Sequence, residues 1–422
     1  MLRPQTPPMG WNSWDCYGAA VTEKEVRQNA GFMAANLSRY GWEYVVVDIQ
    51  WYEPGATSHA YRPFADLCMD EYGRLLPAPN RFPSAAGNKG FAPLAEYVHS
   101  LGLKFGIHIM RGIPRQAVHG NCPVLGTDKT ARDAARFNSI CVWNPDMYGA
   151  KANEAGQAYY DSIFQMYAQW GVDFIKCDDI CRELPHEEEE LLMIARALEN
   201  CGREMILSLS PGPALLEKAE LYKQVANMWR ITDDFWDDWK LLYAMFERAE
   251  KWSMHAGDGH YPDADMLPIG PIRQDYDKNN RTAFTENEQV TMMTLWSIMR
   301  SPLIIGGEMT GFDEFTMKLI TNEGVLRMHR NSRNARQAFR RHSDGSEFIV
   351  WTADDCEGGS YIAAFNAGEA DAHFMILLEE LELCGRAFRA TELWSGETEE
   401  LQECVSTEIP RHGAKVFYLQ KT

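Results

Sequence analysis

From residue 9 to about residue 330, short β-rich runs alternate with longer stretches of helical periodicity. Apolar strands separated by helices are typical of a parallel sheet that is covered on both faces. The predicted strands are 9–14, 44–51, 104–110, 174–179, 205–210, 227–234, 263–267 and 301–306. The predicted helices between them include 23–38, 91–101, 155–170, 187–200 and 239–252. Eight strands over this length favour a (β/α)₈ TIM barrel over an open doubly wound sheet.

After about residue 330 the pattern changes to short β-rich runs without helix-length segments between them. These runs are EFIVWTAD, SYIAAFNAG, HFMILLEEL, FRATELW and AKVFYLQKT, and turn residues separate them. Such a pattern predicts an antiparallel module, most simply a small β-sandwich. We therefore expect two domains, a catalytic barrel over residues 1–330 and a C-terminal β-sandwich over residues 331–422.

Composition excludes several classes of partner. The chain has 41 Lys plus Arg against 60 Asp plus Glu, a formal charge of −19, which argues against a nucleic-acid ligand. No apolar run approaches the ~18 residues of a membrane helix, and the first residues lack an apolar signal-peptide core. Ten scattered cysteines in a long chain suggest reduced thiols, so a cytoplasmic location is expected. A homo-oligomer is compatible with all of this.

Polar side chains follow most of the predicted strands, where the loops of a barrel converge and reactive groups belong. They are Asp48, His108, Arg111, Lys176, Asp178, Asp179, Ser208, Ser210, Arg230, Thr232, Asp233 and Asp234. Because side chains alternate along a strand, Lys176 and Asp178 share one face, and Arg230 and Asp234 share another. If those faces point to the barrel mouth, the site holds two carboxylates, each with a cation on its own strand.

Two carboxylates facing one site suit glycoside hydrolysis, in which one attacks the anomeric carbon and the other transfers protons. Tryptophans beside the strand ends could form the aromatic wall of a sugar site, although each alone is more often a core residue. They are Trp11, Trp14, Trp51 and Trp229. Two other readings stay open. One is a metal-assisted sugar isomerase or lyase with Asp48, Asp178 and His108 as ligands, and the other is a sugar-binding protein without turnover.

Seven motifs resemble, in order, those of glycoside hydrolase family 27, which contains α-galactosidases and α-N-acetylgalactosaminidases. They are MGWNSW, VVVDIQW, GIHIM, FIKCDD, WRITDD, DADMLPIG and SPLIIGG. The resemblance spans residue 9 to about residue 330. It implies a retaining exo-glycosidase acting on terminal α-linked galactose-like residues, with a (β/α)₈ barrel and neither a catalytic cofactor nor a metal.

Carried over by position, the resemblance assigns roles to individual residues. Asp178 becomes the nucleophile and Asp234 the acid/base, and the two carboxyl groups are expected roughly 5–6 Å apart. Lys176 becomes a ligand of a sugar hydroxyl, and Arg230 a ligand for the C2–C3 side of the sugar. The remaining substrate contacts implied are Trp11 as the aromatic wall, Asp48 for the C4 and C6 hydroxyls, and Asp265 on the floor of the site.

Three departures from the family pattern bear on the substrate. Ile49 stands where a second Asp is usual, His108 stands where a Tyr is common, and Ser210 stands where galactosidases place a Glu. The small Ser210 would leave room for a 2-acetamido group, which favours an α-N-acetylgalactosaminidase. Ile49 would instead favour a sugar without the C6 hydroxyl, such as β-L-arabinopyranose. We count His108 and Ser210 among the expected substrate-binding residues.

Overall fold

The computed structural model describes residues 2–58, 60–274, 277, 280–343, 346–383 and 387–422. Its first part is a sheet of eight parallel strands in the order β7-β6-β5-β4-β3-β2-β1-β8. The strands are β1 (Met9–Asn12), β2 (Tyr44–Val47), β3 (Lys104–Met110), β4 (Phe174–Asp178), β5 (Ile206–Leu209), β6 (Met228–Arg230), β7 (Tyr261–Asp263) and β8 (Leu303–Ile305). This sheet is the predicted (β/α)₈ barrel.

The barrel curls until its two edges approach each other. Just after β7, the backbone N–H of Leu267 donates to Ile304, 2.7 Å away, and the N–H of Gly306 donates to Leu267 at 2.9 Å. The predicted strand 263–267 therefore lies slightly too late. Asp265 has a positive φ of 83°, which interrupts the extended backbone after β7 and leaves Leu267 as an isolated bridge.

A helix, or for β8 a pair of helices, follows every strand. They are α1 (Glu23–Asn36), α2 (Ala92–Ser100), α3 (Glu154–Trp170), α4 (Glu187–Asn200), α5 (Ala219–Val225), α6 (Trp239–Trp252), α7 (Glu286–Ile298), α8 (Glu314–Ile320) and α9 (Glu323–Asn331). Several start where polar caps predict it: Thr22 and Glu25 form a capping box at α1, and Asn153 caps α3. The interior helix faces and the strands share one large hydrophobic core.

Between β3 and α3 the chain makes an excursion that the sequence analysis did not predict. It forms a three-stranded antiparallel sheet from Ile113–Pro114, Ala135–Ile140 and Met147–Ala150, with short helices at Arg115–His119 and Ala131–Ala134. Two of the strands have only two and four residues, and the longest, Ala135–Ile140, is partly exposed, so none shows the continuous apolar run that marks the barrel strands. This excursion contributes Trp143 to the mouth of the barrel.

The C-terminal part consists of two antiparallel sheets around a second hydrophobic core, as a β-sandwich requires. Its strands are β9 (Ser332–Ser343), β10 (Ser346–Asp355), β11 (Ser360–Asn366), β12 (Ala372–Leu377), β13 (Phe388–Glu392), β14 (Thr398–Leu401), β15 (Cys404–Ile409) and β16 (Ala414–Lys421). One sheet has the order β9-β10-β11-β16-β13-β14, and the other pairs β12 with β15. Helix α7 contacts this domain through Thr291, whose hydroxyl donates to the carbonyl of His412.

Among the described residues, none of the helices has both the length and the apolar character needed to cross a membrane.

Candidate active site

A pocket of about 300 Å³ opens at the carboxyl ends of the barrel strands. Its charged lining consists of Asp15, Asp48, Lys176, Asp178, Arg182, Arg230, Asp233, Asp234 and Asp265. Its aromatic lining consists of Trp14, Tyr61, Trp143, Phe235 and Trp236. Asp178 and Asp234, the two carboxylates singled out from the sequence, therefore share one pocket, as the alternation of side chains along their strands suggested.

Asp178, the last residue of β4, is held at both carboxylate oxygens. Its Oδ1 accepts the backbone N–H of Asp179 at 2.8 Å, and its Oδ2 lies 3.1 Å from Nε2 of His108 on β3. Burial by itself raises the pKa of the Asp178 carboxyl, but the hydrogen bond and charge of His108, with the charge of Lys176, outweigh burial. The pKa of Asp178 is consequently lowered, so this group is an anion at neutral pH.

Asp48, which directly follows β2, pairs with Lys176 on β4. The Oδ2 of Asp48 accepts from Nζ of Lys176 at 2.8 Å and from Nδ2 of Asn12 at 2.7 Å. Burial by itself raises the pKa of Asp48, but the charge of Lys176, together with the other polar contacts of Asp48, outweighs burial, so this pKa lies below its usual value. Burial by itself lowers the pKa of Lys176, but the charge and hydrogen bond of Asp48, together with the charge of Asp178, outweigh it, so the pKa of Lys176 is raised. The pair gives the pocket a fixed anion and a fixed cation, both suited to hydrogen bonds with sugar hydroxyls.

Arg230 on β6 joins two carboxylates on the other side of the pocket. One of its terminal nitrogens lies 2.7 Å from Oδ2 of Asp265 and 3.2 Å from Oδ1 of Asp234. Asp265 also accepts the backbone N–H of Phe235 at 2.7 Å. Burial raises the pKa of Asp265 to about 7, because the charge of Asp234 adds to the burial effect while Arg230 opposes it. The Asp265 carboxyl, on this side of the pocket, can therefore retain a proton near neutral pH.

The aromatic wall differs from the one expected. Trp11 is completely buried in the hydrophobic core, and its indole N–H donates to the carbonyl of Gly307 at 2.9 Å. Asn12 points into the barrel, where it bonds Asp48, so its neighbour Trp11 must point outward to the helices. The first motif instead presents Trp14 to the pocket, and Trp14 stacks on Tyr61 with ring centroids 5.7 Å apart.

His108 and Ser210, both expected to touch substrate, lie below the pocket surface. His108 has no exposed surface and Ser210 is 1% exposed. Ser210 borders a separate small cavity of about 20 Å³, which Lys176, Arg230 and Asp265 also border. A cavity of that size can hold about one water molecule. The next residue, Pro211, is the one from this loop that lines the main pocket.

Sequence reasoning missed most pocket residues that come from loops. Asp15 lies on a short helix after β1, and burial raises its pKa well above the usual value. Gly306 makes room for it, because a Cβ on that glycine would lie 2.0 Å from Oδ2 of Asp15. Tyr61 and Trp143 come from the long connections after β2 and β3. Trp14 was one of the four tryptophans predicted as candidates for the aromatic wall, but the family resemblance placed that role on Trp11.

An ionised aspartate, Asp178, and a carboxyl group that retains a proton near neutral pH, Asp265, line one pocket together with Asp234, cationic side chains and aromatic side chains, an arrangement that suits a glycosidase. Sequence comparison gives the same class. The profile of the alpha galactosidase A family matches residues 6–154 and 148–331, and that of the alpha galactosidase C-terminal beta sandwich domain matches residues 345–419. The chain belongs to glycoside hydrolase family 27 and is a glycoside hydrolase.

Three relatives illustrate the range of activities in the family. A family 27 β-L-arabinopyranosidase from Geobacillus stearothermophilus is 55% identical, with 99% of this chain and 96% of that chain covered and a TM-score of 0.95. A Bacillus halodurans protein with a provisional assignment as an α-N-acetylgalactosaminidase is 50% identical, with 99% and 97% covered and a TM-score of 0.88. The α-galactosidase of Cyamopsis tetragonoloba is 26% identical over 98% of this chain and 86% of its own length.

Proposed function

We propose that the chain is a retaining exo-glycosidase that prefers β-L-arabinopyranosides to α-D-galactosides, with Asp178 as nucleophile and Asp234 as acid/base. The two sugars share the ring stereochemistry at C1 to C4, and arabinopyranose lacks the hydroxymethyl group at C5. An enzyme with this scaffold can therefore discriminate between the two sugars only through its contacts with the C6 hydroxymethyl group. The name of the Geobacillus relative, at 55% identity, agrees with this choice.

The observation that carries the proposal is Ile49, which follows Asp48 directly. Ile49 is 1% exposed within the hydrophobic core, and its backbone N–H donates to Oδ1 of Asp48 at 2.8 Å. An isoleucine offers no side-chain oxygen to a C6 hydroxyl. A site that lacks a partner for a buried hydroxyl loses the binding energy that such a partner supplies.

In the proposed mechanism, the ionised Asp178 attacks the anomeric carbon while the glycosidic C–O bond breaks. Asp234 transfers its proton to the departing oxygen, and a covalent ester between sugar and Asp178 results. Water then attacks the same carbon and gives a proton to Asp234, and the ester electrons return to the carboxylate of Asp178. Two displacements restore the configuration of the substrate. Lys176, Asp48 and Arg230 are placed to bind hydroxyls of the sugar ring.

Three alternatives have weaker support. α-Galactosidase activity fits the family profile and curated relatives, and differs from the proposal only at C6. For an α-N-acetylgalactosaminidase, the space expected beside Ser210 is a cavity of about 20 Å³. That volume suits about one water rather than an acetamido group. A metal-assisted isomerase would need Asp48, Asp178 and His108 as ligands, yet Asp48 already pairs with Lys176, and Asp178 and His108 already pair with each other.

A panel of nitrophenyl glycosides tests the substrate preference. The panel consists of the β-L-arabinopyranoside, α-galactoside, α-N-acetylgalactosaminide and α-glucoside. We expect the highest kcat/KM for the β-L-arabinopyranoside, by about tenfold or more over the α-galactoside. NMR of the first product formed should show the anomer of the substrate. A higher kcat/KM for the α-galactoside would overturn the preference, and an inverted product would overturn the mechanism.

The role of Ile49 is tested by Ile49→Asp, with Ile49→Val as the matched apolar control. Ile49→Asp should move the ratio of kcat/KM toward the α-galactoside by about 10- to 100-fold, because it supplies an acceptor for the C6 hydroxyl. Ile49→Val should leave the ratio nearly unchanged. Equal shifts in both variants would show that space rather than hydrogen bonding decides the preference.

We also propose that the protein acts in the cytoplasm. The support is the chemistry of its cysteines, because the nine that the structure describes are all free thiols. Cell fractionation tests this location.

A further inference from the structure

The proposed mechanism assigns no role to His108. It lies in the middle of β3, where the strand register pairs it with Lys176 on β4. The residue has no exposed surface, and its backbone carbonyl accepts the indole N–H of Trp51 at 2.8 Å. His108 is also not part of the described pocket lining, so its imidazole is not placed to bind the sugar.

The polar contact of the imidazole is with Asp178. Nε2 lies 3.1 Å from Oδ2 of that carboxylate, while Nδ1 is buried and has no hydrogen-bond partner among the described residues. An ionised carboxylate can only accept hydrogen bonds, so the proton of the imidazole belongs on Nε2. The hydrogen bond to Asp178 thus holds a proton on Nε2 of His108.

This contact completes a clamp on the carboxylate. The backbone N–H of Asp179 already holds Oδ1 at 2.8 Å, so both oxygens of Asp178 have a donor. Two donors on opposite oxygens fix the plane of the carboxylate and prevent rotation about its Cβ–Cγ bond. The side chain of Asp178 is only 11% exposed, so water offers little competition for these contacts. Preorganised donors of this kind act most strongly where water is excluded.

We propose that His108 is a positioning residue, which donates its Nε2–H to Oδ2 of Asp178 and holds that carboxylate in line with the anomeric carbon. The inference rests on the proposed function of Asp178 as nucleophile. When the ester forms, one Asp178 oxygen bonds the anomeric carbon and the aglycone leaves with the proton of Asp234. When water breaks the ester, the electron pair returns to Asp178. His108 keeps its proton throughout and stabilises the carboxylate as it departs.

Two variants of similar size separate positioning from packing. In His108→Gln, the side-chain amide can place a donor near the position of Nε2, whereas His108→Leu fills the space and donates nothing. We expect His108→Leu to lower kcat by about 10²-fold, the usual effect of losing one such donor. His108→Gln should recover most of that loss, within about tenfold of wild type. KM should change little in either variant, because the imidazole does not touch the sugar.

Labelling with a 2-deoxy-2-fluoro glycoside distinguishes failure of this inference from failure of the proposed function. In wild type the label should appear on the peptide that contains Asp178, and in His108→Leu it should form more slowly by the factor seen in kcat. A label on another residue would overturn the proposed function. A label on Asp178 that forms equally fast in His108→Leu would overturn the inference alone. So would equal losses of kcat in both variants, or a rise in KM with kcat unchanged.

Discussion

The carboxylates on the two sides of the pocket differ in their polar partners and in their exposure. On one side, which we call the β2–β4 wall, Asp48 and Asp178 each have a partner of their own, Lys176 and His108. On the other, the β6–β7 wall, Asp234 and Asp265 share the guanidinium of Arg230. The side chain of Asp178 is 11% exposed, whereas that of Asp234 is 62% exposed.

The difference in partners explains the difference in charge. Asp48, Asp178 and Asp265 are all buried, and burial alone disfavours the ionisation of each. Partners on the β2–β4 wall overcome burial, so the pKa values of Asp48 and Asp178 are lowered. One cation between two carboxylates does not overcome it, so the pKa of Asp265 is raised to about 7 by burial and by the charge of Asp234. The lowered pKa of Asp178 suits a nucleophile, and the raised pKa of Asp265 lets the β6–β7 wall retain a proton.

The largest effect should come from Asp178→Ala. Loss of the proposed nucleophile should lower kcat on the order of 10⁴-fold or more, because the covalent intermediate could not form. Azide can enter the space left by the carboxylate and attack the same face of the sugar. With an activated substrate, azide should therefore restore turnover and give a glycosyl azide of inverted configuration, identified by NMR. Unchanged activity in Asp178→Ala would show that Asp178, on the β2–β4 wall, is not the nucleophile.

Asp234→Ala should have the next largest effect, and one that depends on the leaving group. With poor leaving groups the loss should be about 10²- to 10⁴-fold, and with a dinitrophenyl leaving group the first step should proceed almost normally. Azide attacks here from the opposite face, on the ester with Asp178, so the azide product should keep the configuration of the substrate. The same azide product from both variants would break the assignment of one role to each wall.

The matched control for Asp234→Ala is Asp233→Ala. Asp233 also lines the pocket, and its Oδ1 accepts the backbone N–H of Asp234 at 3.0 Å. Its loss should cost far less activity, without dependence on the leaving group, because it contributes to the turn rather than to proton transfer. Equal losses in the two variants would mean that the shape of the turn, and not the Asp234 carboxyl, is what the reaction needs.

Much of the fold could be predicted because its elements carry strong local signals. The helices 187–200 and 239–252 have the predicted bounds, and the eight barrel strands lie within or close to the predicted runs. The first sandwich strand, β9, was missed because its sequence RNARQAFRRH is charged rather than alternately apolar. It forms an edge of the six-stranded sheet, where charged side chains are common since they discourage pairing with other chains.

The site was harder to predict than the fold, since it depends on contacts between elements far apart in sequence. Alternation along β4 correctly placed Lys176 and Asp178 together, but it could not show that Lys176 bonds Asp48 across 128 residues. The close approach of Arg230 and Asp234, four residues apart, was within reach of local reasoning. The pocket residues Tyr61 and Trp143 come from long connections, whose paths over the barrel mouth no local pattern reveals.

The smallest expected effect is a difference between the walls in the pH dependence of stability. The unfolded chain has Asp pKa values of about 3.9. Asp178, whose folded pKa is lowered, contributes stability above that value, and this contribution is lost as the pH falls through the folded pKa. Asp265, whose folded pKa is raised to about 7, acts with the opposite sign. Its contribution is complete below the unfolded value and is lost as the pH rises toward 7.

Thermal unfolding of the wild type, Asp265→Asn and Asp234→Asn between about pH 4 and pH 8 tests the second of these signs. The Tm of the wild type relative to Asp265→Asn should fall by a few degrees as the pH rises through this range, because the variant has no proton to lose. In Asp234→Asn, the fall of Tm over the same pH range should be smaller than in the wild type, since the substitution removes the charge that raises the pKa of Asp265. If the Tm difference between the wild type and Asp265→Asn does not change with pH, Arg230 compensates both carboxylates. The two walls would then be electrostatically alike.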